Sequence, residues 1–168
     1  VLKLRALITS ADFKGETDKI DVEIRTKIKA EFDGGNNWLE RPDLLRLLAN
    51  TMPMWPQDEL DFLIGRLLDF AKKSELSELT TERYLRLLEN YLVVCYDRKV
   101  HKKTTHFDHI DDAMEYIIDA TESFHLMIYR IEVFYMKALF LDQKDKAKEI
   151  KQELRKIGYG NMIANWLE

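Results

Sequence analysis

Histidine and aspartate residues near the middle of the chain form the first group whose types and spacing could do chemistry. His106 and His109 stand three positions apart, and Asp108, Asp111 and Asp112 lie beside them. Imidazole and carboxylate groups ligate divalent metals, so His106, His109 and Asp112 could serve a metal-dependent enzyme. The alternative is a solvated helix start, because acidic residues there complement the helix dipole. We favour this second interpretation and expect neither a metal nor a cofactor.

Two further motifs are too sparse to indicate an enzyme. Glu122 and His125 form a Glu-x-x-His step like those of di-iron helical bundles, which need two such steps, and this sequence has one. Cys95, the single cysteine, lies in an apolar run and is expected to be a buried small hydrophobe. A single cysteine excludes an internal disulfide and suits a reducing compartment such as the cytoplasm. Since the sequence also lacks a glycine-rich phosphate loop, we expect no catalysis.

Polar side chains on otherwise apolar predicted helices are the remaining chemical signal. Asparagine both donates and accepts hydrogen bonds, so it can hold a peptide backbone, and arginine suits a carboxylate. Tyrosine adds an apolar ring with a polar end. The candidate ligand-binding residues are Asn50, Arg83, Tyr84, Asn90, Tyr91, Tyr129 and Arg130. The alternative is that these residues lie on ordinary solvent-facing surfaces, with Arg130 paired to a carboxylate such as Glu89 or Asp119.

Helices have to position these residues, because apolar residues recur at helical spacing throughout the chain. Between Phe107 and Gly158 the sequence has neither glycine nor proline, and residues 124–141 are apolar on nearly every face. A helix of that kind must be covered on several sides, and this one is too short and too charged to span a bilayer. We therefore expect a central helix within a stack of helices, and no membrane partner.

Breaks in the apolar pattern divide the chain into eight or nine predicted helices. They cover residues 1–10, 18–32, a segment that begins at 38–42, 57–73, 80–98 with Thr80 as a cap, 108–123, 124–141, 144–157 and 161–167. Short connections imply antiparallel neighbours. We expect one all-α domain over residues 1–168, with antiparallel helix pairs in a short right-handed solenoid like that of tetratricopeptide repeats, rather than a closed bundle. The ligand-binding candidates then line a groove between the third, fifth and seventh predicted helices.

Charge and architecture restrict the class of partner. The net charge is −4 with both signs interspersed, so we do not expect this segment to bind nucleic acid itself. Stacks of helix pairs are binding scaffolds more often than enzymes, which favours a peptide or a protein as the partner. The apolar pattern is already under way at Val1, so we interpret the chain as a fragment that lacks its N-terminal part.

Apolar residues near the C-terminus predict a contact surface. A terminal repeat should be polar on its outer side, yet the last predicted helix and the turn before it carry Tyr159, Met162, Ile163 and Trp166. A twofold homodimer is the commonest way to cover such residues. The alternative is that they fold back onto the helix predicted over 124–141.

Four stretches of the chain share their order with a known family. They are Leu2 to Ile8 with the polar turn that follows, Trp38 with Asp43 to Thr51 and Leu60 to Leu68, Phe134 to Leu141, and Lys156 to Tyr159 with the last predicted helix. In these stretches the chain resembles the C-terminal regulatory domain of the Rgg/GadR/MutR family of Gram-positive transcriptional regulators.

The resemblance implies a function in transcription regulation and quorum sensing. It implies a domain that dimerises and binds a short secreted signalling peptide on its concave face. It also implies that DNA is bound only through an N-terminal helix-turn-helix outside this chain. A helical-repeat scaffold for another protein is the main alternative, and a metal-dependent all-α enzyme is the less favoured one.

Overall fold

The computed structural model describes residues 22–33 and 37–166, and it shows helices joined by turns. The α-helices are α1 (Val22–Asp33), α2 (Pro42–Thr51), α3 (Gln57–Lys73), α4 (Glu78–Val100), α5 (Ile110–Ala120), α6 (Met127–Phe140) and α7 (Lys144–Lys156), and short 3-10 helices cover Trp38–Glu40, Met52–Met54 and Phe124–Leu126. The described ranges contain no strand, so the predicted all-α class is confirmed. The helix predicted over 1–10 lies outside the described residues. Among the helices that are described, none is long and apolar enough to cross a bilayer.

Two long inner helices, α4 and α6, organise the packing. α4 contacts α2, α5 and α6, and α6 also contacts α5 and α7. Leu85, Leu88 and Leu92 of α4 are completely buried between these neighbours. The prediction that the apolar helix near 124–141 is covered on several sides is therefore confirmed, and α4 shares its central place.

The bounds of α3 agree with the prediction, whereas α4 begins earlier than predicted. Ser77 Oγ accepts a hydrogen bond from the backbone N–H of Thr80 at 3.3 Å. Ser77 is therefore the N-cap, and the prediction that Thr80 caps this helix is wrong. The cap satisfies one of the backbone donors that every helix leaves unpaired at its start.

The long segment without glycine or proline is interrupted after Ala120, so the helix predicted over 108–123 is shorter than expected. Thr121 Oγ1 donates to the carbonyl of Ile117 at 2.7 Å. Such a side-chain bond to the preceding turn competes with helix continuation. The chain then turns, passes through the 3-10 helix at Phe124–Leu126 and enters α6 at Met127.

Three helices end in the same hydrogen-bond pattern. Beyond α4, α6 and α7, a backbone N–H reaches the carbonyl five residues earlier, from Lys103 to Arg98 at 2.9 Å, from Gln143 to Ala138 at 2.8 Å and from Tyr159 to Leu154 at 2.9 Å. This pattern is the Schellman motif, which needs one residue in the left-handed region. Those residues are Lys102 (φ 53°), Asp142 (φ 56°) and Gly158 (φ 96°). Only the last of the three is glycine, the residue type for which this conformation costs least.

The chain after α7 forms turns up to Trp166, so the short helix predicted over 161–167 is wrong within the described residues. Ile163 is 1% exposed, and the ring of Trp166 lies 4.8 Å from that of Tyr135 in α6. These two residues fold back onto the domain, as the alternative interpretation had it. Tyr159 and Met162 remain exposed, so the predicted dimer surface is reduced to them.

Candidate functional site

A groove between α2 and α4 brings together more of the predicted ligand-binding residues than any other place in the described structure. Its volume is about 580 Å³. Both helices contribute apolar and polar residues to its lining. The apolar ones are Pro42, Leu45, Ala49, Leu79 and Leu87. The polar ones are Arg46 and Asn50 of α2 and Glu82, Arg83, Arg86 and Asn90 of α4. We call it the basic groove, because three arginines there outnumber one glutamate.

Helical periodicity explains why the polar residues of α2 and α4 line the groove. The leucines of α2 are buried, which leaves Arg46 and Asn50, four residues apart, on the side that lines the groove. In α4, Arg83, Arg86 and Asn90 follow one another at i, i+3 and i+7, and the same face lines the groove. Asn50, Arg83 and Asn90 were candidates from the sequence. Arg46 was not, although its position one turn before Asn50 was a signal that could have identified it.

One of the arginines is already engaged. Arg86 donates from Nε to the hydroxyl of Tyr129 in α6 at 2.8 Å and from a terminal nitrogen to Glu82 at 2.8 Å. The Tyr129 hydroxyl donates in turn to Glu82 at 3.1 Å. These hydrogen bonds raise the pKa of the Arg86 guanidinium, and the bond to Tyr129 contributes most. Arg86 therefore ties α4 to α6, and its charge is balanced by Glu82.

The other two arginines supply the positive charge of the groove. Arg46 and Arg83 form no ion pair with any residue in the described part of the chain, and the amides of Asn50 and Asn90 have no side-chain hydrogen bond there either. A guanidinium binds a carboxylate through two parallel hydrogen bonds. An amide can donate to a peptide carbonyl and accept from a peptide N–H at once. The groove can therefore hold a carboxylate together with an extended peptide group.

Two predicted binding residues lie in the core instead. Tyr84 and Tyr91 are both 0% exposed. The Tyr84 hydroxyl donates to the carbonyl of Leu39 at 2.7 Å, and the Tyr91 hydroxyl donates to Asp61 at 2.6 Å. Burial raises the pKa of both phenols. Neither ring has surface to offer a ligand, so we remove both from the candidate set. Both residues are next to the polar residues of α4 in sequence, but α4 is covered on several sides, and these two rings point into the core.

The two candidates on α6 lie in different environments. Tyr129 is buried and takes part through its hydroxyl, which contacts Arg86 and Glu82 of the groove. Arg130 is half-buried and does not line the basic groove. Within the described ranges it forms no ion pair with Glu89 or Asp119, the partners considered from the sequence. Its contact with a ligand stays a prediction.

A buried carboxyl pair between α4 and α6 was missed by the sequence analysis. Glu89 is 9% exposed, its Oε1 has no hydrogen-bond partner among the described residues, and its carboxyl group interacts with that of Glu132. Two buried carboxylates repel each other when both are charged, so the pair favours the state in which one proton is kept. Burial, and then repulsion by Glu132, raises the pKa of Glu89, and burial also raises the pKa of Glu132. The chain has 30 acidic residues, and no spacing singles out a pair that forms between helices.

The histidine cluster is spread over separate contacts. His106 Nε2 lies 2.7 Å from Asp108, and His109 Nδ1 lies 3.3 Å from Asp112. The other ring nitrogen of His109 faces α3, where a Cβ added at Gly65 would lie 2.7 Å from it. No three His, Cys, Asp or Glu side chains converge on a possible ion site in residues 22–33 and 37–166. The ring of His109 is thus part of the contact between α3 and α5.

Cys95 is buried, as predicted. Its Sγ accepts a hydrogen bond from Gln57 Nε2 at 3.5 Å. Burial raises the pKa of the thiol to about 12, so the nucleophilic thiolate is scarce at neutral pH.

The basic groove is therefore the site with the most evident capacity to bind. Among the described residues, it offers two guanidiniums without an ion pair, two amides without a side-chain hydrogen bond, and several apolar side chains. Such a set can bind a ligand that carries a carboxylate beside apolar groups. No protein-family model, no curated protein and no solved structure matches this chain.

Proposed function

We propose that this chain is the ligand-binding domain of a transcriptional regulator, and that a short peptide with a free carboxylate binds in the basic groove. One observation carries the proposal. Arg46 and Arg83, which have no ion pair within the described residues, line the same groove as the free amides of Asn50 and Asn90. Glu82 balances Arg86, so the charges of Arg46 and Arg83 are left for a ligand carboxylate to neutralise.

The arginines, the asparagines and the apolar residues of the groove have separate roles in the proposal. Arg83 and Arg46 hold the carboxylate, either the C-terminus of the peptide or an acidic side chain. Asn50 and Asn90 hold the peptide backbone from opposite sides of the groove. Leu79, Pro42 and Ala49, the apolar lining residues with accessible surface, cover apolar side chains of the peptide, which fits the largely apolar ligand expected from the sequence.

The proposed architecture is a short right-handed solenoid of antiparallel helix pairs. Its support is the contact of alternate helices, since α2 packs on α4 and α4 packs on α6. In solenoids of the tetratricopeptide type, the inner helices of successive pairs lie side by side in this way and form the concave face. The basic groove, between α2 and α4, then lies between two inner helices.

The regulatory part of the proposal rests on the resemblance to the Rgg/GadR/MutR family. In that family a separate helix-turn-helix binds DNA, and the helical domain dimerises and senses the peptide. The proposal therefore places the protein in the cytoplasm, where a regulator meets DNA, and assigns no DNA contact to the helices described above. The net charge of −4 agrees with that division of labour.

The first experiment asks whether the groove selects carboxylates. A pool of short synthetic apolar peptides is offered in two forms, with a free C-terminus and with an amidated C-terminus, and bound peptides are identified by mass spectrometry after gel filtration. The free acids should be retained and their amides lost. Calorimetry with the best free acid should then show that Arg83→Ala and Asn90→Ala each weaken binding about ten- to a hundredfold, the effect of losing a charge-assisted or buried hydrogen bond.

Arg66→Ala is the matched control, because Arg66 is an exposed arginine on α3 outside the groove. It should leave the affinity unchanged. If the amides bind as well as the acids, the C-terminal carboxylate is not what the groove recognises. If the folded Arg83→Ala and Asn90→Ala proteins bind like wild type, the basic groove is not the peptide site.

A further inference from the structure

A second groove, with the opposite charge, lies between α5 and α6. Its volume is about 410 Å³. Its apolar surface includes Ile118 of α5, Phe140 of α6 and Leu141, which is 57% exposed. We call it the acidic groove, because three carboxylates line it and one ammonium group, that of Lys137, faces them.

The carboxylates form a row along α5. Asp111, Glu115 and Asp119 are spaced at i, i+4 and i+8, so they lie on one face and span about 12 Å of the helix. All three are exposed. No ion pair joins them, or Lys137, to another residue in the described part of the chain.

This row is unfavourable for the isolated helix. Like charges four residues apart cost about 0.2–0.5 kcal/mol for each pair. A carboxylate near the N-terminus of a helix is stabilised by the dipole, which accounts for Asp111. Asp119 is in the last turn of α5, where the dipole opposes a negative charge, and that turn has no basic residue. Lys137 of α6 lines the same groove and can offset one of the three charges, so most of the negative charge of the row is left unbalanced.

From the charge and shape of the acidic groove, we infer that it binds an amphipathic helix of another protein, with an apolar face flanked by lysine or arginine. This inference is independent of the peptide proposed for the basic groove. An apolar helix face fills a groove between two helices through residues at i, i+3, i+4 and i+7. A flanking row of lysine or arginine at i, i+4 and i+8 matches the spacing of the three carboxylates, and the match of charges sets register and orientation.

None of the helices described over residues 22–33 and 37–166 makes a second copy of this chain a suitable source of that helix. α7 is the described helix richest in lysine, but its apolar residues Ala147 and Leu154 are buried against its own domain. A membrane with anionic lipids is also an unsuitable occupant, because it would repel the carboxylate row. The occupant that we infer is therefore a separate polypeptide that presents both lysines and a free apolar face, and the test below includes a second copy as one outcome.

The test uses a panel of fluorescein-labelled helical peptides of about 15 residues, with leucine, methionine or phenylalanine on one face and lysines beside it. Each peptide has a scrambled partner of the same composition and charge without an apolar face. Fluorescence anisotropy should show saturable binding of the amphipathic form and at least about tenfold weaker binding of the scrambled form. The affinity should also fall as salt is raised, since surface charges are screened.

Two variants of the acidic groove separate the contribution of charge from that of apolar surface. Glu115→Gln with Asp119→Asn removes charge at constant shape and should weaken binding about tenfold. Leu141→Ser removes exposed apolar surface with little risk to folding and should weaken binding to a similar degree. The control, Glu122→Gln with Glu149→Gln, neutralises two exposed carboxylates outside the groove and should bind like wild type.

Three results would overturn the inference. One is that no peptide of the panel binds, or that scrambled peptides bind equally well. Another is that the control variant loses as much affinity as the groove variant, which would mean attraction by net charge alone. The third is that wild type sediments as an oligomer and that the Glu115→Gln, Asp119→Asn substitutions dissociate it. That result would mean that a second copy of the chain occupies the groove.

Discussion

At the scale of single residues, the buried pair Glu89 and Glu132 favours the state that keeps a proton, and we expect this to make stability depend on pH. The pKa of both groups is raised in the folded state, so the native protein binds protons more tightly than the unfolded chain. The stabilisation from the retained proton is complete below the unfolded pKa of glutamate, about 4.3. It is lost as pH rises through the folded values. The domain should therefore become less stable between weakly acidic and weakly alkaline pH.

Glu89→Gln should remove most of this dependence. Glutamine keeps the shape and always has an N–H to donate to the Glu132 carboxylate. We expect the variant to exceed wild type in the free energy of unfolding by about 1–3 kcal/mol near pH 8, and by much less near pH 5. Urea denaturation at the two pH values measures both differences.

Glu122→Gln serves as the control for that measurement, because Glu122 is exposed and outside the α4–α6 contact. It should leave the pH dependence of wild type unchanged. Equal pH slopes for wild type and Glu89→Gln would show that the pair does not hold a proton.

At the scale of elements, the ends of α4 and α6 carry a conformational cost that can be removed. Lys102 and Asp142 occupy the left-handed position of their Schellman motifs, where a side chain is disfavoured. Lys102→Gly and Asp142→Gly should each raise the free energy of unfolding by about 0.5–1 kcal/mol, measured by urea denaturation. The exposed contact of Asp142 with Lys99, at 3.8 Å, is too weak to reverse the gain.

The Schellman motif after α7 allows the opposite substitution, because its left-handed residue is Gly158. A Cβ added at Gly158 would have no atom within 4 Å, so Gly158→Ala tests backbone conformation alone. It should lower the free energy of unfolding by about 1 kcal/mol. If Lys102→Gly and Gly158→Ala change stability in the same direction, backbone conformation does not decide the cost of these turns.

The elements also show what sequence periodicity can and cannot predict. α3 has one buried face and breaks on both sides, and its bounds Gln57–Lys73 follow directly from the pattern. α4 packs on three other helices, so periodicity cannot tell which of its polar and aromatic residues face a groove. For that reason Arg83 and Asn90 were correctly placed on one face, while Tyr84 and Tyr91 were misplaced. Contacts between helices, such as Glu89 with Glu132, leave no periodic signal at all.

At the scale of the whole molecule, the predicted dimer now depends on a small patch beyond α7. Met162 is 64% exposed, and Tyr159 and Ile157 beside it are exposed as well. Covering them in a twofold contact would remove apolar surface from water. We expect sedimentation of wild type at tens of micromolar to show a dimer, and Met162→Glu to shift it towards monomer. A monomeric wild-type protein under these conditions would rule out the dimer, and Met127→Glu, at an exposed apolar residue of α6, is the matched control.

The burial of Cys95 makes the rate at which a thiol reagent labels it a measure of how often the domain opens. The sequence has no other cysteine, and this thiol lies on α4, the helix that contacts α2, α5 and α6. A thiol-specific reagent can reach it only when α4 separates from these neighbours. In the native state the raised pKa of the thiol also suppresses the reactive thiolate, and unfolding restores it. The labelling rate in plain buffer therefore reports how often the packing around Cys95 opens, without any denaturant.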